Sequence, residues 1–251
     1  MAVIDLNADV GEWDLAPPPV ETRLIPLISS ANVACGFHAG NEYSMAATVE
    51  FAASHGAAVG AHPSLDDRAN FGRRERLISA TAAFDLVSRQ IDTLARIAAA
   101  HGISLRHVKP HGALYNMASR DHMLAEAVAR AVASFDRTLV LFGASGSELI
   151  GAGQRAGLRT VSEVFADRAY RADGSLAPRT EPDAIIDDPD VVSRRVLRML
   201  REHQVVSVEG VVLAVSAETI CVHGDTEGAA RIAARIRETL DAAGIDVSAP
   251  L

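Results

Sequence analysis

His107-Val108-Lys109-Pro110-His111-Gly112-Ala113-Leu114-Tyr115-Asn116 is the densest cluster of ionisable residues in the chain, and it follows a short apolar run. Side chains alternate on a strand, so His107, Lys109 and His111 share one face until Pro110 and Gly112 disturb it. A lysine on that face is not ordinary packing, because a buried ammonium needs a partner. It suits a carboxylate or a developing oxyanion. The same arrangement recurs on both sides. Residues 3–6 read as a strand ending in Asn7 and Asp9, 32–35 as one ending in Gly36-Phe37-His38, and 57–60 as one ending in His62. Residues 139–142 and 159–161 are further strands, and 219–222 is a last one ending in His223 and Asp225.

Helices separate them. Phe84, Val87, Ile91, Leu94 and Ile97 form one apolar face, as do Val192, Val196, Met199 and Leu200. The second of these helices has Asp188 as its N-cap and Pro189 at N1. Ala229, Ile232, Ala233, Ile236 and Leu240 form the last helix, with Gly244 at C′. Alternating strands and helices predict parallel strands with right-handed crossovers. Polar residues at strand end after strand end favour a closed barrel, where those ends meet at one mouth, over an open sheet, where they spread along an edge. The expected fold is therefore α/β, an irregular TIM-like (β/α) barrel of about seven strands. No repeat, low-complexity tract or linker divides the chain, so residues 1–251 read as a single domain.

Composition excludes several classes. With 49% hydrophobic and 22% charged residues the chain can bury a core, and disorder is disfavoured. The net charge of −8 comes without a basic stripe, which argues against a nucleic-acid partner. No apolar run reaches the roughly 18 residues of a membrane span. The acidic start, MAVIDLNADVGEW, does not resemble a secretion signal. Cys35 and Cys221 lack a C-x-x-C context and read as reduced thiols of a cytoplasmic protein.

The other candidates divide as follows. Asn7 and Asp9 can both face the mouth, with Glu12 one turn on; the alternative is a solvated strand end with an Asx-turn. His38 lies between Gly36 and Gly40, which permit close approach of a ligand, and can serve as ligand or general base. His62 is pushed to extended geometry by Pro63. Asp225 either caps the last helix or belongs to an anion site at its N-terminus, and both can hold. His55 and His101 precede glycines at helix ends and read as helix C-terminal residues. Cys35 reads as a small buried hydrophobe. Gly151-Ala152-Gly153-Gln154-Arg155-Ala156 mimics a dinucleotide turn, but it ends a helix and precedes a strand, the reverse of the required context. No P-loop is present in the sequence. Residues 163–187, rich in Asp and Arg, have the length of a functional lid. Residues 205–215 read as a hairpin around Glu209-Gly210.

The segments DLNADVGE, SSANVACGFHAGN, GAHPSLDDRANFGRR, HVKPHGALYN, EVFADRAYRADGSLAPR and ICVHGDTEGA, in this order, resemble the LamB/YcsF family. Its members are the A subunits of bacterial 5-oxoprolinases. Departures are small: Ala8 stands where Cys is common, Ser64-Leu65 where Gly and an aromatic are common, and Asn41 where Asp is frequent. The resemblance implies a barrel related to glycoside hydrolase and deacetylase barrels. It implies hydrolysis of 5-oxoproline, or of its phosphorylated form, to glutamate. It also implies ATP with magnesium at the level of a complex with subunits B and C. Asp9, His38, Lys109 and His111 are then catalytic candidates. Asn7, Glu12, Asn32, Arg168, His223 and Asp225 are substrate-binding candidates, and Arg168 or Arg179 could close over the substrate. Kinship with the deacetylases suggests a divalent metal on Asp9, His62 and His111. The alternatives are a metal-dependent amidohydrolase or deacetylase working without ATP, and a non-catalytic scaffold subunit.

Overall fold

A computed structural model describes residues 2–224 and 228–250. Seven parallel strands close into a barrel: β1 (Ala2–Val10), β2 (Ser30–Ala34), β3 (Ala58–His62), β4 (His107–Val108), β5 (Val140–Ala144), β6 (Arg159–Phe165) and β9 (Thr219–Val222), with β9 pairing back onto β1. A short antiparallel hairpin, β7 (Gln204–Val206) and β8 (Val212–Ala214), precedes β9. It matches the expected hairpin around Glu209-Gly210.

The surrounding helices follow their apolar stripes. In α3 (Ala80–Ala100), Leu86, Val87, Ile91 and Leu94 are buried. In α7 (Pro189–Glu202), the Asp188 side chain accepts from the N–H groups of Asp190 and Val191 and caps the helix. α8 (Ala229–Ala242) starts with Gly228 at its N-cap, and Gly244 follows it at φ +70°. Asp225 lies outside the described residues.

β1 and β6 run further than the sequence suggested. Their polar residues are inward-facing strand positions, not the start of a loop. β4 is only two residues long because Pro110 cannot donate to the ladder. α4 (Gly112–Arg120) follows at once. An added strand, β10 (Ile245–Val247), pairs with the start of β1.

The barrel divides its faces sharply. On β1, Ile4, Leu6, Ala8 and Val10 belong to the large apolar cluster shared with the helices. The alternate residues Asp5, Asn7 and Asp9 face the lumen. Asn7 reaches Glu163 on β6 and Lys109 beyond β4, and neither strand neighbours β1, so these contacts cross the interior. Lumenal Asp5 accepts from the hydroxyls of Ser29, Ser30 and Thr219, yet burial raises its pKa to about 6.

His107 fills the lower lumen. Its Nε2 lies 2.8 Å from Asn32 Oδ1, and its ring stacks on Phe142 at 4.5 Å. A Cβ on Gly60 would meet that ring at 2.2 Å, so β3 needs a glycine opposite it. Gly60→Ala is expected to destabilise by about 1–3 kcal/mol, read as a lower urea midpoint at unchanged slope. Burial first, then the charges of Lys109 and His62, push the pKa of His107 down to about 3. The unfolded chain protonates this histidine near ~6.5, before the folded one does. Stability from neutral His107 is therefore complete above that pH and lost as pH falls towards 3, by up to ~1.4 kcal/mol per unit. Urea titrations of wild type and His107→Gln should converge on acidification; a constant gap would refute this.

Candidate functional site

The site starts at a buried charge. Lys109 is 2% exposed, with Nζ 3.0 Å from Asp9 Oδ1 and 2.9 Å from Glu163 Oε1. It also donates to Asn7 Oδ1 and to Cys221 Sγ, each at 3.1 Å. Burial alone would lower its pKa; Asp9 and Glu163 outweigh burial and hold it well above the usual lysine value. The converse holds for Asp9, where His62 and Lys109 outweigh burial and keep the carboxyl well below its usual range. An ammonium has three donors, and these face four acceptors. Lys109 therefore fixes Asp9 and Glu163 and keeps no donor for a ligand.

Asn7 and Asn32 support this group from beneath. Asn7 Nδ2 donates to Glu163 (2.9 Å), and Asn32 Nδ2 donates to Asn7 Oδ1 (2.7 Å) and Asp9 Oδ1 (2.9 Å). Both are fully buried, and their hydrogen bonds hold the carboxylates in place. Tyr115 Oη donates to Glu163 at 2.7 Å.

Beside Asp9 lies a group of imidazoles. His62 Nδ1 is 2.7 Å from the Lys109 carbonyl, and His111 Nε2 is 2.9 Å from the Phe71 carbonyl. Carbonyls only accept, so both nitrogens carry protons. His62 Nε2 and His111 Nδ1 then face each other at 2.9 Å with a lone pair each. That contact is repulsive unless a proton or a metal cation lies between them. His38 stacks on His111 at 3.8 Å, and its Nε2 is 3.1 Å from Glu12 Oε1. Its Nδ1 is buried without a partner among the described residues. Burial, followed by the neighbouring histidines, holds both His38 and His111 well below the usual histidine pKa. Glu12, His38, His62 and His111 each offer one ligand atom, all within 4.8 Å of one another. This group could hold a metal ion; it contains His62 and His111 of the expected set together with Glu12 and His38, while Asp9 belongs to a second such group with Cys221 and His223.

The mouth opens above. Asp9, His62, Lys109, His111, Arg168 and His223 line one cavity, together with Arg73, Arg179 and Tyr115. His38 and Glu12 do not line it; they stand behind His111. His223 Nδ1 lies 2.9 Å from Asp167 Oδ1, and its backbone N–H donates to Asp167 Oδ2. Burial would raise the pKa of Asp167, but the adjacent His223 outweighs it and lowers the value. The guanidinium of Arg168 donates to the carbonyls of Ala177 and Ala184 within the long segment after β6. Cys35 is inert by environment, its thiol pushed up to about 12 by burial. A wider hollow bounded by Ile185, Val191, Val206 and Val208 carries no histidine and lies apart from these groups.

Residues 4–251 match the LamB/YcsF family. The chain belongs to the LamB/YcsF family. It is 49% identical over 250 residues to a protein of Tolumonas auensis that is named as the A subunit of 5-oxoprolinase, covering 99% of this chain and 100% of that one. The crystal structure of a lactam utilization protein from Thermus thermophilus superposes with a TM-score of 0.91 at 43% identity, over 99% of this chain and 100% of that one. The peptidoglycan deacetylase PdaC of Bacillus subtilis shares the fold alone, with a TM-score of 0.50 at 14% identity over 98% of this chain and 87% of that one. No helix among the described residues is long and apolar enough to cross a membrane.

Glu163, Asp167, Tyr115 and Arg73 belong to the site and were not singled out by sequence. Glu163 had a readable signal, an acid in the inward register of an apolar strand. Lys109→Met strips two buried carboxylates of their cation and is expected to cost about 3–5 kcal/mol of stability. The double variant Lys109→Met/Glu163→Gln should recover part of that in urea unfolding; an unaltered midpoint in the single variant would contradict the assignment.

Proposed function

We propose that this chain opens the ring of 5-oxoproline as the A subunit of an ATP-dependent 5-oxoprolinase, breaking the lactam C–N bond to release glutamate. The observation that carries the reading is the convergence, in one cavity, of an anchored carboxylate, an oriented imidazole and several guanidiniums. It occurs in a chain nearly half identical, end to end, to a protein of that name. A lactam is a resonance-stabilised amide and a poor electrophile. Opening it requires a base for water, charge stabilisation at the lactam oxygen, and a proton for the departing nitrogen.

His223 suits both proton transfers. Asp167 takes its Nδ1, which leaves Nε2 to accept a proton from water and return it to the ring nitrogen. Asp9, held ionised by Lys109, orients water from the floor. The lactam oxygen and carboxylate fall to the guanidiniums of the mouth, since the donors of Lys109 are engaged. Glu12, His38, His62 and His111 fit a divalent metal, because the facing lone pairs of His62 and His111 call for positive charge. Such an ion, when bound, polarises an oxygen or lowers the pKa of a bound water. ATP and magnesium belong to two further subunits, B and C. This is consistent with a sequence that has no P-loop, and dependence on ATP fits a reaction in the cytoplasm.

The histidine group also favours a second reading, a metal-dependent amidohydrolase that works without ATP. It would act alone and stop with chelator. We expect the purified chain, with ATP, magnesium and 5-oxoproline, to form no glutamate until its partner subunits are added. Glutamate and ADP formed by the lone chain at the reconstituted rate would refute the division of labour. In the reconstituted mixture, His223→Ala should lose at least about 100-fold in rate. Calorimetry with zinc, manganese or cobalt should show one ion bound, lost in His62→Ala; absence of binding at millimolar metal would leave a shared proton between His62 and His111.

A further inference from the structure

We infer that this chain forms a twofold dimer, in which residues 74–77 of each copy dock into the hollow beside α7 and the β7–β8 hairpin of the other. Neither surface lines the cavity of the barrel mouth, so the dimer does not depend on the 5-oxoprolinase reading. The hollow has a volume of about 380 Å³, room for a large aliphatic side chain, and Ile185, Ile186, Val191, Val206 and Val208 form its apolar lining. Val206 pairs with Val212 across the hairpin, so both stand on one face of it, and that face is exposed. Ile185, Val191, Val206, Val208, Val211 and Val212 make up six of the twelve exposed large hydrophobic residues among the described residues. Single exposed apolar side chains are ordinary; half of them gathered on and beside one hollow mark an interaction surface.

The rim of the hollow is acidic. Asp183 and Asp187 line it and are exposed, and neither carboxylate has a hydrogen bond or ion pair among the described residues. Asp188 beside them caps α7. Arg195, the cation of the lining, is engaged by the backbone carbonyls of Phe165, Ala166 and Arg168. The occupant should therefore carry an apolar anchor next to positive charge.

The chain itself presents such a segment. Residues 74–77 read Arg-Glu-Arg-Leu, just before Ser79 caps α3. Leu77 is fully exposed, more so than any other large hydrophobic residue described. Arg74 and Arg76 are exposed as well and make no hydrogen bond or ion pair among the described residues, while Glu75 is taken by Arg120. Burial of the leucine supplies affinity, and the charges around it set the register. The loop after β3 and the segment after β6 leave the barrel on opposite sides of the ring, with β4 and β5 between them one way round and β9, β1 and β2 the other. A twofold axis passing between them makes both contacts at once. Each copy gives its leucine and receives the other's, and the assembly closes at two.

The test is sedimentation equilibrium of the full chain from about 1 to about 100 μM, where a monomer–dimer equilibrium or a dimer is expected. Leu77→Asp and Val208→Asp should each raise the dissociation constant at least about 30-fold. The pair Asp183→Lys/Asp187→Lys should raise it about tenfold or more, and so should the pair Arg74→Glu/Arg76→Glu. A chain carrying all four charge reversals should recover most of that loss, which a purely structural role of these residues would not produce. Met123→Asp, at an exposed apolar residue outside both surfaces, should change nothing. Every substituted side chain is exposed, and circular dichroism checks that each variant keeps the fold. A monomer at all concentrations, a dimer indifferent to Leu77→Asp and to the charge reversals, or growth beyond two copies would overturn the dimer. So would a monomeric chain that needs Leu77 and Val208 only to bind the partner subunits, because the hollow would then belong to a different protein.

Discussion

The Lys109 ammonium lies inside the barrel within 3.0 Å of Asp9 and 2.9 Å of Glu163, and most of the lumen is arranged around that contact. Moving an ion out of water costs several kcal/mol even after relaxation, so one lysine obliges the interior to provide acceptors. Two carboxylates supply them and create a surplus negative charge, which needs donors in turn. Asn7, Asn32 and Tyr115 provide these, from β1, β2 and α4. Each donor is fully or almost fully buried and makes a defined hydrogen bond, so a change at one is felt at the others. Such a network adds little net stability compared with an apolar filling. What it contributes is a carboxylate, Asp9, whose position and ionisation are fixed before any ligand arrives.

That arrangement is affordable because the fold does not depend on the lumen for its cohesion. Barrels of this class usually fill the interior with layers of branched apolar side chains. Here the apolar cluster on the lumen side is small, made of Val140, Phe142 and Val161. The extensive core lies between the outer face of the strands and the helices. Burial of that shell supplies the hydrophobic driving force, and the interior is released for polar groups. The same division explains Gly60, which has no side chain because the His107 ring occupies the space.

Much of this was legible in the sequence, for a physical reason. Polar residues at the ends of apolar strands have few places to go, and a barrel brings them to one mouth, where Asp9, His62, Lys109, His111 and His223 are found. What could not be read were distances across the lumen. Asn7 and Asn32 stand out by their strand-end position, but their bonds to Glu163 and Asp9 across the lumen could not be read from it. Glu12 and Asp9 are three residues apart in the chain, but a turn at Gly11, with φ +73°, sends them to different partners. Asp167 and Arg73 sit in acid- and arginine-rich stretches that offer no means of choosing among similar neighbours. β10 is a three-residue strand that gains its identity from pairing with β1.

Asp9 joins the two halves of the mouth. One of its oxygens faces Lys109 and Asn32, and the other lies 3.3 Å from His62 Nε2. The carboxylates beneath exceed the lysine by one negative charge, which favours a cation, proton or metal, among the imidazoles of His62 and His111. The guanidiniums of Arg73, Arg168 and Arg179 line the same cavity. Fixed charges of both signs in one narrow cavity concentrate its field. The charge of the mouth is therefore placed in advance by the barrel, through the buried contacts of Lys109 with Asp9 and Glu163.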